Sequence, residues 1–121
     1  MDGNSRWSKI HELSTEEGHA RGAEVARNII KYAVSIKLEE LTLYAFSYEN
    51  WSRPSGEIQS IIALLNHYIT NFIDEFMQHN IVVKFLGDLN MLDDITKSNI
   101  SQIMNFTSIN TGLKLNIAFS Y

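Results

Sequence analysis

The sequence LTLYAFSYENWSRP, residues 41–54, decides the fold class, because an apolar strand pattern passes directly into a polar loop. The first part, Leu41 to Phe46, is short, apolar and partly aromatic, which is typical of a strand buried on both faces. The second part combines hydroxyl, carboxylate, amide, indole and guanidinium groups, and it ends at Pro54, the only proline of the chain. Ligands of α/β folds bind beyond the carboxyl ends of the strands, so we predict that this polar loop is functional.

Helix patterns lie on both sides of this strand. Before it, residues 18–37 repeat apolar groups at helical spacing, and Ser14 with Glu17 has the spacing of a capping box that starts a helix. After it, Ser55 is predicted to cap a second helix, which carries a long apolar stripe and ends near His79. The first strand is therefore predicted to lie between two helices in the chain.

The remaining residues continue this alternation of strand and helix. Strands that alternate with helices imply right-handed crossovers and a parallel sheet covered by helices. The predicted fold class is therefore α/β, with a partial, open, mainly parallel sheet and flanking helices. The other predicted segments are a polar loop over residues 1–13, a buried strand over 81–87, a turn over 87–90, a helix from about 92 to 109, a helix stop at 110–112 and a last strand over 113–121.

The ends of the predicted sheet suggest part of a larger domain. A chain of 121 residues is long enough for one domain and too short for two. No strand pattern precedes the polar residues 1–13, and the last strand runs to Tyr121. A sheet of three parallel strands leaves poorly protected edges. We therefore expect residues 1–121 to be the N-terminal portion of a single domain, and we expect marginal stability from this portion alone.

Composition excludes several classes of function. The chain is 45% hydrophobic and 20% charged, which is ordinary for a globular protein, and its net charge of -4 disfavours general nucleic-acid binding. The absence of cysteine excludes disulfides, thiolate zinc sites and cysteine nucleophiles. No apolar run approaches the roughly 20 residues of a membrane span, and the polar first residues do not form a signal peptide. These features predict an intracellular, soluble protein.

The first candidate site is MDGNSRW, residues 1–7. Asp2 has the carboxylate oxygen that Mg²⁺ prefers, and Arg6 has a guanidinium that can fork onto a phosphate. Gly3, Asn4 and Ser5 offer backbone N–H groups to the same anion. The alternative is a loose polar terminus, and residue types alone favour that alternative.

Two more candidate sites follow along the chain. In GHARGA, residues 18–23, His19 and Arg21 lie near a helix start that attracts anions. The alternative is a solvated first turn with a glycine packed close to a strand. The residues of this segment alone favour that alternative. In the polar loop, Glu49, Asn50 and Arg53 are predicted to converge on a ligand, with Trp51 as a wall of an apolar pocket. The alternative there is a simple loop with a packed tryptophan. The functional interpretation is favoured because the loop follows a strand.

Other polar signals have simpler explanations. Asp93 and Asp94 precede a predicted helix, where acidic side chains complement the helix dipole. His67 falls off the apolar stripe of its helix and is predicted to be exposed. His11, His67 and His79 lack metal-ligand spacing, and the chain contains no P-loop, GxGxxG or GxSxG motif.

Taken together, the segments MDGNSRW, GHARGA, LTLYAFSYENWSRP and LKLNIAFSY resemble, in order and spacing, the cis-prenyltransferases. The resemblance covers the whole chain and is strongest to the undecaprenyl diphosphate synthases, also called isoprenyl transferases. It implies an enzyme that condenses isopentenyl diphosphate with an allylic diphosphate such as farnesyl diphosphate. The product would be a cis-polyprenyl diphosphate for lipid-carrier and cell-wall biosynthesis. The resemblance also implies Mg²⁺ as cofactor, a homodimer in the complete protein, a cytoplasmic location, and contact with the membrane surface through the lipid product.

The resemblance assigns roles to residues of this chain. Asp2 matches the essential aspartate that handles metal and diphosphate, and Asn50 matches the residue given a proton-acceptor role. The helix over residues 58–76 resembles the one that lines the tunnel for the growing lipid. The positions that match substrate-binding residues are Gly3, Asn4, Ser5, Arg6, Trp7, His19, Ser47, Tyr48, Glu49, Trp51 and Arg53.

The chain departs from the family pattern in sequence and in length. Ser5 replaces a glycine, which matters if that position needs positive φ, and Thr15 replaces an arginine that contacts phosphate. The family domain has a strand before MDGN and a C-terminal half that carries further phosphate-binding arginines. We therefore expect negligible prenyl transfer by the isolated chain. The alternative function is a truncated, non-catalytic fragment or an interaction subunit that supports a full-length prenyltransferase.

Overall fold

The computed structural model describes residues 3–121, so Met1 and the predicted site residue Asp2 lie outside the described residues. Strands and helices alternate along the chain as the sequence predicts. A 3₁₀ turn, Tyr48–Ser52, follows the first strand. The helices and strands are α1 (Asn4–Ile10), α2 (Thr15–Ser35), β1 (Glu40–Phe46), α3 (Ser55–Asn71), α4 (Ile73–Gln78), β2 (Val82–Leu86), α5 (Asp94–Thr107) and β3 (Lys114–Phe119).

The three strands form one parallel sheet in the order β1-β3-β2. Leu115 of β3 lies opposite Leu41 on one side and Val83 on the other. Both pairings are parallel, and the helices cover the sheet, so the predicted α/β class with an open parallel sheet is confirmed. No helix within residues 3–121 is long and apolar enough to span a bilayer.

The central strand is β3, and it is the one that carries most of the buried surface of the sheet. Leu115, Ala118 and Phe119 are buried apolar residues of this strand. The prediction that residues 41–46 form a strand buried on both faces is wrong for β1, because Thr42 and Tyr44 are exposed there. Within residues 3–121, β1 pairs with β3 alone, and α2 is the helix that packs against it, so the face of β1 that carries Thr42 and Tyr44 is left exposed.

Helix α1 replaces most of the predicted N-terminal loop. It begins after Gly3, whose φ of 82° lies in the left-handed region. Ser8 is its buried residue, and it packs against Gly18 of α2, where an added Cβ would lie 2.8 Å from the Ser8 Cβ. The sequence analysis considered a glycine packed close to a strand, whereas Gly18 packs against helix α1. The sequence pattern does not predict α1, because a seven-residue helix with one small buried residue has no apolar stripe.

The predicted capping box begins α2. The Ser14 hydroxyl accepts from the Glu17 N–H at 3.1 Å, and the Glu17 carboxylate accepts from the Ser14 N–H at 2.8 Å. These two hydrogen bonds satisfy N–H groups that a helix start leaves without partners. The prediction is confirmed.

The predicted second helix is divided into two. Pro54, and not Ser55, is the N-cap of α3, and Phe72 separates α3 from α4. Just before the break, the Thr70 hydroxyl donates to the Asn66 carbonyl at 2.7 Å and the Asn71 amide donates to the His67 carbonyl at 2.8 Å. Such side-chain bonds to helix carbonyls compete with the backbone ladder and favour a bend.

Helix α5 is two residues shorter than predicted at each end, spanning Asp94–Thr107 where the sequence predicts about 92 to 109. The Asp93 carboxylate accepts from the Thr96 N–H at 2.9 Å and caps the helix. The helix ends at Thr107, and Gly112 does not stop it through a left-handed conformation. Gly112 instead lies against the loop between α4 and β2, where an added Cβ would be 2.5 Å from the Asn80 carbonyl oxygen.

Candidate functional site

The polar loop after β1 is tied to the carboxyl end of β3. The Tyr48 N–H donates to the Tyr121 carbonyl at 2.9 Å, and the Trp51 indole N–H donates to the Ser120 hydroxyl at 2.9 Å. The Tyr121 N–H in turn donates to the Phe46 carbonyl at 3.4 Å. The loop therefore lies at the carboxyl edge of the sheet, where the sequence predicts it.

A cavity of about 460 Å³ opens between α2, α3, α4 and one face of the sheet. Its polar end brings together residues from all three candidate segments, although these segments are far apart in the chain. The body of the cavity is lined by apolar side chains of the helices and the sheet, among them Ile61, Leu65, Ile69, Leu115 and Ile117. The predicted site residues that line it are Gly3, Asn4, Ser5, Arg6, His19, Asn50 and Arg53.

Five predicted site residues do not line this cavity: Trp7, Ser47, Tyr48, Glu49 and Trp51. The prediction that Trp51 walls the apolar pocket is wrong, because its ring packs edge-on against Phe46 at 5.1 Å between centroids and its N–H is used by Ser120. The Trp7 ring stacks on His11 at 4.1 Å. The roles of these five residues as substrate contacts stay predictions.

Asn50 is held by the turn that carries it. The Ser47 N–H donates to the Asn50 amide oxygen at 3.0 Å. This bond uses one of the two lone pairs of the amide oxygen and fixes the orientation of the side chain, and its NH₂ group is the donor end. The geometry is compatible with Asn50 as a hydrogen-bond donor or orienting group, and the proton-acceptor role that the resemblance implies stays a prediction.

Arg53, Glu57 and His19 form a charged group at the polar end. The Arg53 guanidinium donates to the Glu57 carboxylate at 2.8 Å, and the His19 Nε2 atom lies 3.8 Å from the same oxygen. Burial lowers the pKa of His19 below its usual value; the Glu57 carboxylate opposes this effect and the Arg53 guanidinium adds to it. His19 is therefore predominantly neutral at pH 7.

The His19 ring also holds a buried atom without a partner. Among the hydrogen bonds formed within residues 3–121, none reaches the buried Nδ1 atom of His19. Buried polar atoms are normally hydrogen-bonded, so an atom of this kind marks a place where an added ligand group gains a bond. This observation supports His19 as a site residue more directly than its place in the sequence does.

Helix α1 contacts α2 closely at Gly22 as well as at Gly18. At Gly22, an added Cβ would lie 2.6 Å from the Asn4 side-chain amide. Ser5 lies inside α1 and has negative φ, so the serine that replaces the family glycine carries no backbone strain. Thr15 is the first residue of α2, one helical turn before His19, so it lies on the His19 side of that helix.

Sequence reasoning missed three charged residues that line the cavity: Arg27, Lys31 and Glu75. The Arg27 guanidinium donates twice to Glu75 across 48 residues of chain. No local pattern reveals a pair at that separation. Glu57 was also missed, although its spacing from Arg53 on a helix start is a recognisable pairing signal.

Residues 3–121 contain no group of three His, Cys, Asp or Glu side chains that could hold a metal ion. The described residues therefore do not form a complete protein cage for Mg²⁺. Mg²⁺ commonly binds one or two carboxylates together with substrate phosphates and water. The carboxylate that the sequence predicts for this purpose is Asp2, outside the described residues.

Comparison with known proteins places the chain in a family. The family model described as "Putative undecaprenyl diphosphate synthase" matches residues 1–121. The chain belongs to the undecaprenyl diphosphate synthase family. Isoprenyl transferase of Clostridium tetani is 42% identical over 121 residues, which are 100% of this chain and 48% of that protein. Isoprenyl transferase of Rickettsia prowazekii is 38% identical and is covered over 54% of its length. The chain therefore spans about half the length of these relatives.

Solved structures agree with the undecaprenyl diphosphate synthase fold. Lavandulyl diphosphate synthase from Lavandula x intermedia, in complex with dimethylallyl diphosphate, matches with a TM-score of 0.95 over 100% of this chain and 52% of that chain. At 24% identity this match shows the fold alone. A probable undecaprenyl diphosphate synthase from Campylobacter jejuni matches with a TM-score of 0.76 and 31% identity, over 84% of this chain and 49% of that chain.

Proposed function

We propose that this chain supplies the allylic-diphosphate site of an isoprenyl transferase. The reaction is the condensation of isopentenyl diphosphate with an allylic diphosphate, such as farnesyl diphosphate, to give a cis-polyprenyl diphosphate for lipid-carrier and cell-wall biosynthesis. The observation that carries the proposal is one continuous cavity with a cationic, donor-rich end and an apolar body. An amphiphile with a diphosphate head and a hydrocarbon tail has the same two-part chemistry.

The polar end suits a diphosphate head group. Arg6 and Arg53 line it with guanidinium groups, and Asn50 presents its NH₂ donor there. His19 offers a buried ring nitrogen that lacks a partner among the described residues. Together these groups would hold the diphosphate and stabilise the charge that grows on it as the carbon–oxygen bond breaks.

The apolar body suits the hydrocarbon tail and the reacting carbon. Its aliphatic and aromatic walls would shield an allylic cation from water, which would otherwise capture it. Mg²⁺, bound to the diphosphate with Asp2, would spread the negative charge of the leaving group. Asn50 then acts by orienting a substrate group, since an amide is a poor base and the turn holds its side chain in place.

A binding experiment tests this function directly. Isothermal titration of the chain with farnesyl diphosphate, inorganic diphosphate and farnesol, each with and without Mg²⁺, compares the whole amphiphile with its two parts. We expect farnesyl diphosphate to bind most tightly, and Asp2→Ala to remove most of the Mg²⁺ effect. Equal weak binding of all three ligands would contradict the proposal.

Arg53→Ala provides the variant for the polar end. It should weaken farnesyl diphosphate binding by about 10-fold or more, because a charge-assisted hydrogen bond is lost. Arg21→Ala is the matched control, since Arg21 is exposed on α2, pairs with Glu24 and does not line the cavity. Similar losses in both variants would show a general charge effect and not a site.

A second function, that of an interaction subunit, is favoured by an apolar stripe on α2. Val25, Ile29, Tyr32 and Ile36 recur at helical spacing and are all exposed. If the chain supports a full-length isoprenyl transferase, its addition should raise the rate at which that enzyme incorporates radiolabelled isopentenyl diphosphate. We expect negligible incorporation by the chain alone. Incorporation by the chain alone at a rate near that of the complete relatives would favour autonomous catalysis.

A further inference from the structure

A cluster of three charged side chains bridges α2 and α4 at the cavity. The Arg27 guanidinium donates to the Glu75 carboxylate at 3.1 Å from Nε and at 2.8 Å from Nη2. The Lys31 ammonium lies 3.1 Å from the other carboxylate oxygen. One carboxylate from α4 is thus held by two cations from successive turns of α2, and all three residues line the cavity. We call Arg27, Lys31 and Glu75 the clasp.

The clasp lies where the long apolar helix is broken. The Arg27 guanidinium carbon is 4.4 Å above the centre of the Phe72 ring, and Phe72 is the residue between α3 and α4. The guanidinium therefore packs on an aromatic face while it holds Glu75. This double contact fixes α4 against α2 just after the chain leaves α3.

The clasp and the polar end lie at two different places along the same cavity. His19 meets Glu57 near the starts of α2 and α3, whereas Arg27 meets Glu75 farther along. His19 and Arg27 are separated by about 12 Å along α2, at the usual rise of a helix. Between the two places the lining is apolar, with Ala23 and Ala26 on α2. A tail that starts at the polar end and follows α2 therefore meets the clasp.

The Glu75 carboxylate is partly buried, with 19% of its side chain exposed, whereas 39% of the Arg27 side chain and 45% of the Lys31 side chain are exposed. Burial raises the pKa of Glu75, but hydrogen bonds from Arg27 and Lys31 outweigh this effect and hold the pKa below its usual value. Hydrocarbon that pushes past an ion pair must separate it or strip it of water, and a buried charge that loses its partner is costly. An intact clasp is therefore a barrier to an apolar chain.

We propose that the clasp sets the length of prenyl chain that the cavity accepts. This inference rests on the proposed function, because it concerns the tail of the same ligand. Short allylic tails fill the apolar stretch between the polar end and the clasp. Longer tails must displace the Arg27–Glu75 pair, so their additional carbons add little affinity. Neutralising the pair removes that barrier and favours long tails selectively.

The test is a titration series with geranyl, farnesyl and geranylgeranyl diphosphate. For the wild-type chain, we expect affinity to rise from geranyl to farnesyl and to stop rising at geranylgeranyl diphosphate. Glu75→Gln and, as a second variant, Arg27→Met should raise the ratio of geranylgeranyl to geranyl affinity by about tenfold or more. The matched controls are Glu24→Gln and Arg21→Met, which neutralise an exposed ion pair of α2 that does not line the cavity.

The outcomes separate this inference from the function on which it rests. If the wild-type chain binds none of the three diphosphates, the proposed function fails. If the wild type binds them but both clasp variants keep the wild-type ratio, the clasp is only a structural tie and the inference fails. Thermal melts of each variant, followed by circular dichroism, identify any variant that is unfolded. A changed ratio in a folded clasp variant, with unchanged ratios in the controls, supports the proposal.

Discussion

The two ends of the chain differ in how deeply their elements are buried. In the later part, α5 buries Thr96, Ile100, Ile103 and Thr107, and Leu115 of β3 is 0% exposed. In the earlier part, the 21-residue helix α2 buries only Gly18 and Ala33, and its apolar stripe faces outward. Burial of apolar surface is the main source of folding free energy, so the later part stabilises the molecule and the earlier part adds less.

The candidate site belongs mainly to the less buried part. The cavity-lining site residues come from α1, α2 and the loop after β1, whereas α5 contributes none of them. This division is common in enzymes, where a well-packed scaffold positions polar groups that carry the chemistry. Substitutions in the later part should therefore have large effects on stability, and substitutions in the earlier part should have large effects on binding.

The largest effect on stability is expected in the central strand. Leu115→Ala should lower the free energy of unfolding by about 2–5 kcal/mol, because it removes a fully buried side chain between two neighbouring strands. Ile29→Ala, at a position that is 47% exposed on α2, should change it by no more than about 0.5 kcal/mol. Urea unfolding followed by circular dichroism measures both. Equal losses would show that the two parts are equally packed.

A smaller effect is expected from one buried hydroxyl. The Thr107 hydroxyl donates to the Ile103 carbonyl at 2.8 Å and accepts from the Val83 N–H at 3.0 Å. Thr107→Val leaves that buried N–H without a partner and should cost about 1–3 kcal/mol in urea unfolding. Thr70→Val is the matched control, because the Thr70 hydroxyl donates to a carbonyl in the same way and is exposed. A loss in the control as large as in Thr107→Val would show that hydroxyl burial is not the cause.

Within the less buried part, the contact between α1 and α2 is the exception. A Cβ at Gly18 would lie 2.7 Å from the Asn4 carbonyl oxygen, which is backbone, so Gly18→Ala should destabilise the chain by about 1–3 kcal/mol despite the better helix propensity of alanine. Gly56→Ala in α3 meets no atom within 4 Å and should be neutral or stabilising by up to about 1 kcal/mol. Thermal melts compare the two variants. If Gly18→Ala were as stable as Gly56→Ala, α1 would not be packed firmly on α2.

The smallest effect is expected from pH, through Glu75. Its folded pKa lies below the ordinary value of 4.5, so its ionised form stabilises the folded chain above that pH and this contribution is lost as pH falls through the folded pKa. The difference in melting temperature between wild type and Glu75→Gln should therefore be constant near pH 7 and shrink below pH 4.5. Glu24→Gln, at an exposed pair, should show little difference at either pH. A constant Glu75→Gln difference down to pH 3 would argue against the ion pair.

Local patterns predicted the parts of the fold that local physics determines. The Ser14–Glu17 capping box, the place of Asp93 and Asp94 at a helix start and the alternation of strands with helices each depend on neighbouring residues and are confirmed. The place of the polar loop was also predictable, because a loop that follows a parallel strand must lie at its carboxyl edge. These features were sufficient to locate the polar end of the cavity.

The features that were not predictable depend on long-range packing. The exposure of Thr42 and Tyr44 depends on which helices pack against β1, and that packing is not encoded near residues 41–46. The clasp joins residues that lie 48 positions apart. Trp51 is an aromatic residue of the kind that often lines pockets, yet it packs against Phe46 and donates to Ser120 because β3 ends beside it. Helix α1 is held by close contact with two glycines of α2, a contact that leaves no periodic signal.

The hydrogen bond from the Tyr48 N–H to the Tyr121 carbonyl has a practical consequence for anyone who handles this protein. It connects the last residue of the chain to the loop that carries Asn50 and Arg53, while Gly3, near the other end, lines the cavity itself. Gly3 and the loop held by Tyr121 therefore adjoin the same cavity. A bulky group attached beside Gly3 or Tyr121 is therefore expected to disturb this cavity, whereas a small fluorophore at either position is expected to report ligand binding.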